Sequence, residues 1–218
     1  MSGLSHPERP ATKTPAQRRA RMVKQLHSWH WISSAVCLVG LILFSLTGIT
    51  LNHAGTIEAS PSIEHKTTRL PESLQARLLN EHDTGRKPVP AEITAWLSQS
   101  LSISLNSEVL ADWSEDEIYW ALPRPGGDAW LRIERSDGSV EYERTDRGWI
   151  AWLNDLHKGR HTGVAWSWFI DLFAIASLIF AISGLLLLKL HAANRGMTWP
   201  LVAGGLLLPA ILIFLFVH

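Results

Sequence analysis

Ten histidines are distributed along the 218 residues, and six of them stand within a few residues of the ends of apolar blocks. His27 and His30 precede the first block, His53 follows it, His157 and His161 precede the second, and His191 follows that one. Neutral imidazole is a good ligand for iron, zinc and copper, and a b-type haem takes two such nitrogens on opposite sides of the porphyrin, usually from different helices. If the apolar blocks cross a bilayer, the six form two sets at matching depths. His27, His30 and His191 share one face, and His53, His157 and His161 share the other. A single flanking histidine is more often an ordinary boundary residue, because imidazole tolerates interfaces. Six together favour metal or haem ligation. His30 to His53 is 23 residues and His161 to His191 is 30, about 35 and 45 Å along ideal helices. Two haems would therefore lie near opposite surfaces; one haem, or another metal at one face, is the alternative.

Other chemistry-bearing residues are fewer. Asp171 lies a few residues into the second apolar block, where a carboxylate is costly; pairing with Lys158, Arg160 or a histidine is as expected as catalysis. Asn52 beside His53 is placed either to orient that imidazole or to cap the helix. Gly40, Gly48 and Gly184 permit close approach of helices or of a flat cofactor. The eleven tryptophans are read mainly as rim anchors and core residues. A lone cysteine, Cys37, excludes an intrachain disulfide and a Cys-ligated zinc site. No nucleophile elbow, phosphate loop or HExxH motif is present, which argues against hydrolase and nucleotide-driven chemistry.

The elements that must position these residues follow from hydropathy and charge. The 20 Lys and Arg balance the 20 Asp and Glu, but the two signs are segregated. Arg18, Arg19, Arg21 and Lys24 crowd the N-terminus, while most acids fall between Glu58 and Asp155. Without a net positive charge or a second basic patch, nucleic acid is excluded as a partner, and the basic arm is a topology signal. Residues 1–25 read as a disordered basic cytoplasmic tail. Trp31 to Leu51 contains no charge and is long enough to cross the hydrocarbon core, giving a first transmembrane helix over 26–53, an uncleaved anchor rather than a signal peptide. A second helix is expected over 157–192 and a third over 198–218, the latter containing Pro209. Lys189 and Arg195 in the link place it on the same side as the N-terminus. Residues 54–156 then form an extracytoplasmic domain. Within it, Ile93, Trp96, Leu97, Leu101 and Leu105 have helical spacing after Pro88 and Pro90. Residues 109–113, 117–122, 129–134 and 139–143 read as strands of an antiparallel meander, with Asp137-Gly138 as a tight turn. Residues 58–87 read as an irregular linker with a short helix around Ser73 to Leu79. The expected fold is a membrane α-helical protein, three spans with a small α+β domain.

Three stretches resemble the PepSY-associated transmembrane helix family. They are Lys24-Gln-Leu-His27-Ser-Trp-His30-Trp, Leu46-Thr-Gly-Ile-Thr-Leu-Asn-His53 and Trp152-Leu-Asn-Asp-Leu-His157-Lys-Gly-Arg-His161-Thr-Gly. The helix and meander are similar to a PepSY domain. The resemblance implies a bacterial inner-membrane protein, N-terminus cytoplasmic and soluble domain periplasmic, akin to haem-containing reductases that release iron from siderophores. It implies haem b, one or two per chain, with His27 or His30 and His191 on an inner haem and His53 with His157 or His161 on an outer one. Unlike the larger reductases the chain has three spans and one soluble domain, so a homodimer or a membrane electron donor would complete the pathway. The competing expectation is a non-catalytic regulatory or assembly protein whose PepSY-like domain binds a peptide, a peptidase or a metal-uptake partner by strand addition.

Overall fold

The computed structural model describes residues 14–57, 60–81 and 84–217. The chain divides into two compact units, Met1–Ile42 with Asp171–His218, and Leu43–Ile170.

The first helix, α1, runs over Pro15–Asn52 and is 38 residues long. It therefore reaches back into the tail expected to be disordered over 1–25; residues 1–13 of that tail lie outside the described residues. A capping box explains the early start. Gln17 N–H donates to the Thr14 hydroxyl (3.4 Å), the Thr14 N–H donates to the Gln17 side chain (3.1 Å), and Pro15 occupies the first helical position. Helix α5 covers Val164–His191, a 3₁₀ turn covers Ala192–Asn194, and α6 covers Thr198–Phe216. Helices α1, α5 and α6 are each long and apolar enough to cross a membrane. Helix α6 carries no buried residue and is apolar all round, as a lipid-facing span is.

In the first unit, α1 and α5 run antiparallel, because rising numbers on one meet falling numbers on the other: His27 meets His191, His30 meets Phe180, and Gly40 faces Phe173. A Cβ at Gly40 would lie 2.3 Å from the Phe173 ring, so glycine is what lets that ring lie against the helix.

The second unit holds the α+β domain. Its strands are β1 (Ser62–Arg69), β2 (Gly85–Pro88), β3 (Leu110–Trp113), β4 (Glu117–Ala121), β5 (Gly127–Glu134) and β6 (Ser139–Asp146), in one antiparallel sheet of order β1-β6-β5-β4-β3-β2. Helices α2 (Glu72–Leu79) and α3 (Ala91–Leu101) cover one face. Leu78, Ile93, Leu97 and Leu101 join Trp120, Leu131, Ile133 and Val140 in its core. Alternation puts the neighbouring positions on the other face, where Arg132 bonds Glu141 (2.7 Å), His65 pairs with Glu143 (2.8 Å) and Tyr119 stacks on Trp130.

Two boundaries differ from expectation. The stretch expected to be an irregular linker contains β1 and β2 as the two edge strands. On β1 the core-side residues are Lys66 and Thr68, paired with Tyr142 and Val140, so an edge strand forms with no apolar alternation to announce it. The span expected from residue 157 is broken. Helix α4 covers Trp149–Lys158 and ends at Gly159 (φ +67°), and α5 begins only after His161 (φ +57°) and Gly163 (φ +81°).

Candidate histidine site

Two of the six histidines meet. His27 on α1 and His191 at the end of α5 lie with ring centroids 5.8 Å apart and planes at 78°. Each ring is oriented by its own helix: Nδ1 of His27 donates to the Val23 carbonyl (3.1 Å) and Nδ1 of His191 to the Leu187 carbonyl (2.8 Å). Both carbonyls have a second lone pair to offer after the helical N–H is satisfied. With the proton on Nδ1, Nε2 of each ring keeps its lone pair, the tautomer that a metal ligand needs.

His30 sits one face away on α1 and is packed into the helix pair. Its Nδ1 lies 3.2 Å from both the Phe180 carbonyl and the Ser183 hydroxyl, and its ring stacks on Phe180 at 4.7 Å. Ser183 sends its own proton to Ile179 (2.6 Å), so the imidazole is the donor. A Cβ at Gly184 would stand 3.0 Å from His30 Cε1, so that glycine makes room for the imidazole.

The second unit holds the other three. His157 on α4 lies against the last turns of α1, its Nδ1 2.7 Å from the Thr47 hydroxyl and its ring 5.0 Å from Phe44. The Thr47 hydroxyl also lies 2.9 Å from the Leu43 carbonyl, and its one proton serves either that carbonyl or His157 Nδ1 according to the His157 tautomer. One turn on, Thr50 donates to Asn154 (2.8 Å). His53 is exposed, with Nδ1 on the Ile49 carbonyl (3.0 Å). Five of the six thus present Nε2 without a hydrogen-bond partner among the described residues. His161 is set apart: its Nε2 accepts from Arg160 Nε at 3.1 Å. No ring contact joins His53 to His157 or His161 among the described residues.

The remaining expectations resolve locally. Asp171 makes no ion pair among the described residues, and Cys37 is buried. Asn154 and Asp155, which lie in the third family-like stretch without a role assigned to them from sequence, are the buried polar residues of α4. Asp155 accepts from Gly126 N–H (2.9 Å) and lies 3.8 Å from Arg147, fastening α4 to the sheet.

Donor number narrows what the His27–His191 pair suits. Among the described residues no group of three or more His, Cys, Asp or Glu side chains gathers to hold an ion, whereas a zinc site takes three or four protein ligands. Haem iron takes only axial ligands from the protein. The His27–His191 pair offers two imidazole nitrogens from two helices, the number that haem iron takes from a protein.

Residues 21–218 match the family model described as Putative PepSY_TM-like, and the chain belongs to that family. No curated protein matches the chain, and neither does any solved structure.

Proposed function

We propose that this PepSY_TM-like chain is a haem b electron-transfer protein of the bilayer, with reduction of a ferric chelate such as a ferric siderophore, on the side of the sheet domain, as its task. The observation that carries the reading is the His27–His191 pair: two imidazoles from two helices, each held by Nδ1 on its own helix and each offering Nε2. One haem would be held there, supplying one-electron exchange when bound. The chain's own residues do the rest. Val23 and Leu187 fix the tautomers, and His30 locks α1 to α5 through Phe180 and Ser183. The basic residues Arg18 to Lys24 support a cytoplasmic setting for the N-terminus, which in this reading makes the sheet domain periplasmic on an inner membrane.

The test is the visible spectrum of the full-length protein purified from haem-supplied cells. A reduced Soret and α-band is expected, with loss of bound haem in His27→Ala and in His191→Ala. A colourless preparation, or spectra that neither substitution moves, refutes the assignment. Chelate reduction is scored separately, by ferrous-iron capture with a colorimetric chelator.

One observation favours a second reading. Among the described residues strand β1 pairs with β6 alone, which leaves its other edge able to add a strand. A peptide-binding regulator would use that edge, and its binding would be indifferent to His27 and His191.

A further inference from the structure

Within the second unit, a cavity of about 500 Å³ opens beside the last turn of α1 and the start of α4. Three cations line it, Arg147, Lys158 and Arg160, against one carboxylate, Asp155. The bonding separates them. Arg147 is committed to Asp128 (3.1 Å) and Asp155 (3.8 Å), which cancels that charge. Lys158 and Arg160 have no carboxylate within 4 Å among the described residues, and both are exposed. Among the described residues, two of the cavity's positive charges therefore have no carboxylate beside them. The first turn of the ten-residue α4 lines the same space, and its cap, Gly148, contributes no side-chain acceptor. Its leading N–H groups add to the positive potential. The rest of the wall is apolar: Leu51 from the last turn of the span, Ile57, and Trp149, which is 70% exposed.

We infer that this cavity binds a phosphate group, and that the phosphate is the headgroup of an anionic phospholipid. Paired cations recognise a phosphate oxyanion. An apolar wall continuous with a membrane span, carrying an exposed tryptophan, suits a ligand whose remainder is a glycerol backbone and acyl chains. Lys158 and Arg160 would approach the phosphate from the C-terminal end of α4, and Trp149 would lie along the lipid at its N-terminal end. The inference stands independently of haem.

The experiment uses the full-length protein in detergent micelles, titrated with short-chain phosphatidylglycerol, short-chain phosphatidylcholine and inorganic phosphate, with tryptophan fluorescence and native mass spectrometry as readouts. Phosphatidylglycerol is expected to bind more tightly than phosphatidylcholine. Each of Lys158→Gln and Arg160→Gln is expected to weaken it roughly five-fold, and the double variant about 25-fold. Both side chains are exposed and make no ion pair among the described residues, Arg160 bonding only the exposed His161, so both variants fold, and unchanged thermal unfolding checks this. Inorganic phosphate that binds with the same loss in the double variant, while phosphatidylglycerol shows no advantage over phosphatidylcholine, supports the anion site and assigns its ligand to free phosphate. Equal binding of the two lipids with no binding of phosphate overturns the inference. So does a double variant that binds like the parent.

Discussion

Gly126 ties the sheet to α4, and with it the placement of His157 and of the cationic cavity, so replacing it tests the architecture at its narrowest point. Its φ is +75°, and a Cβ there would stand 2.7 Å from Trp152 Cβ, 2.9 Å from Trp152 Cα and 3.0 Å from Trp152 N. Two of those three atoms are backbone of α4 and cannot rotate away. Gly138 is the natural comparison: its φ is +74°, yet the nearest atoms belong to the Gln75 side chain, at 3.1 to 3.4 Å, which can swing aside. Both alanine variants incur about 1–2 kcal/mol for a left-handed non-glycine residue. Only Gly126→Ala adds overpacking against fixed atoms, about 1–3 kcal/mol, and strains the Gly126 N–H bond to Asp155. The difference between the variants should be about 2 kcal/mol, which at roughly 2–4 °C per kcal/mol for a chain of this size separates their melting temperatures by about 4–8 °C. The assay is thermal unfolding of both full-length variants in one detergent, followed by tryptophan fluorescence. Equal melting temperatures, or a less stable Gly138→Ala, would refute the claim that α4 is clamped at Gly126.

Gly40→Ala should loosen the α1–α5 pair by about 1–3 kcal/mol, since the Phe173 ring must vacate the position of the new methyl; thermal unfolding reads the loss, and an unchanged midpoint speaks against the contact. Arg135 is 6% exposed and donates to the carbonyls of Ser114, Leu78 and Glu81, so Arg135→Met should cost about 1–3 kcal/mol by stranding the buried Leu78 carbonyl, seen as a lowered denaturant midpoint. In the sheet domain, Asp146 is held below the usual carboxylate range by the Gly148 N–H and then by Arg124 and Arg144, Asp137 by bonds from Ser139, and Glu81 by Lys87. Groups depressed in the folded state contribute stability that is complete above the ordinary carboxylate range and is lost as pH falls through the lowered values. Melting temperature should therefore decline with acidification below about pH 4, and Asp146→Asn should flatten that decline; an unaltered slope would count against it.

The spans were legible because a charge-free run long enough to cross hydrocarbon has few other uses. What escaped was local or at the periphery. The capping box at Thr14 and Gln17 was present in the letters but lay within a stretch whose composition reads as disorder, and it carries α1 eleven residues further back than the start expected at residue 26. The central strands announced themselves by alternation, since β5 is buried at every second position. Strand β1 had no such mark, because a polar edge strand has only one neighbour and little core to meet. Helix α4 carries Trp149, Ile150, Leu153 and Leu156 at helical spacing, yet it read as the tail of the domain and the start of the span, and its independence comes from the positive-φ turn at Gly159.

For the site, which histidines gather at helix ends was legible, and which of them face one another was not. His27 and His30 are three residues apart, about 60° around the helix, and that rotation decides that one meets His191 while the other packs on Phe180. A bond from Nδ1 to the carbonyl four residues back comes cheaply to a helical histidine, so orientation alone does not make a ligand. His53 supplies the control: it has the same bond, to Ile49, but no partner ring among the described residues. If the pairing is what binds haem, His27→Ala should remove about one haem per chain while His53→Ala removes none, measured as haem-to-protein ratio in purified full-length protein. The opposite pattern would move the binding site into the second unit and leave the His27–His191 contact as helix packing.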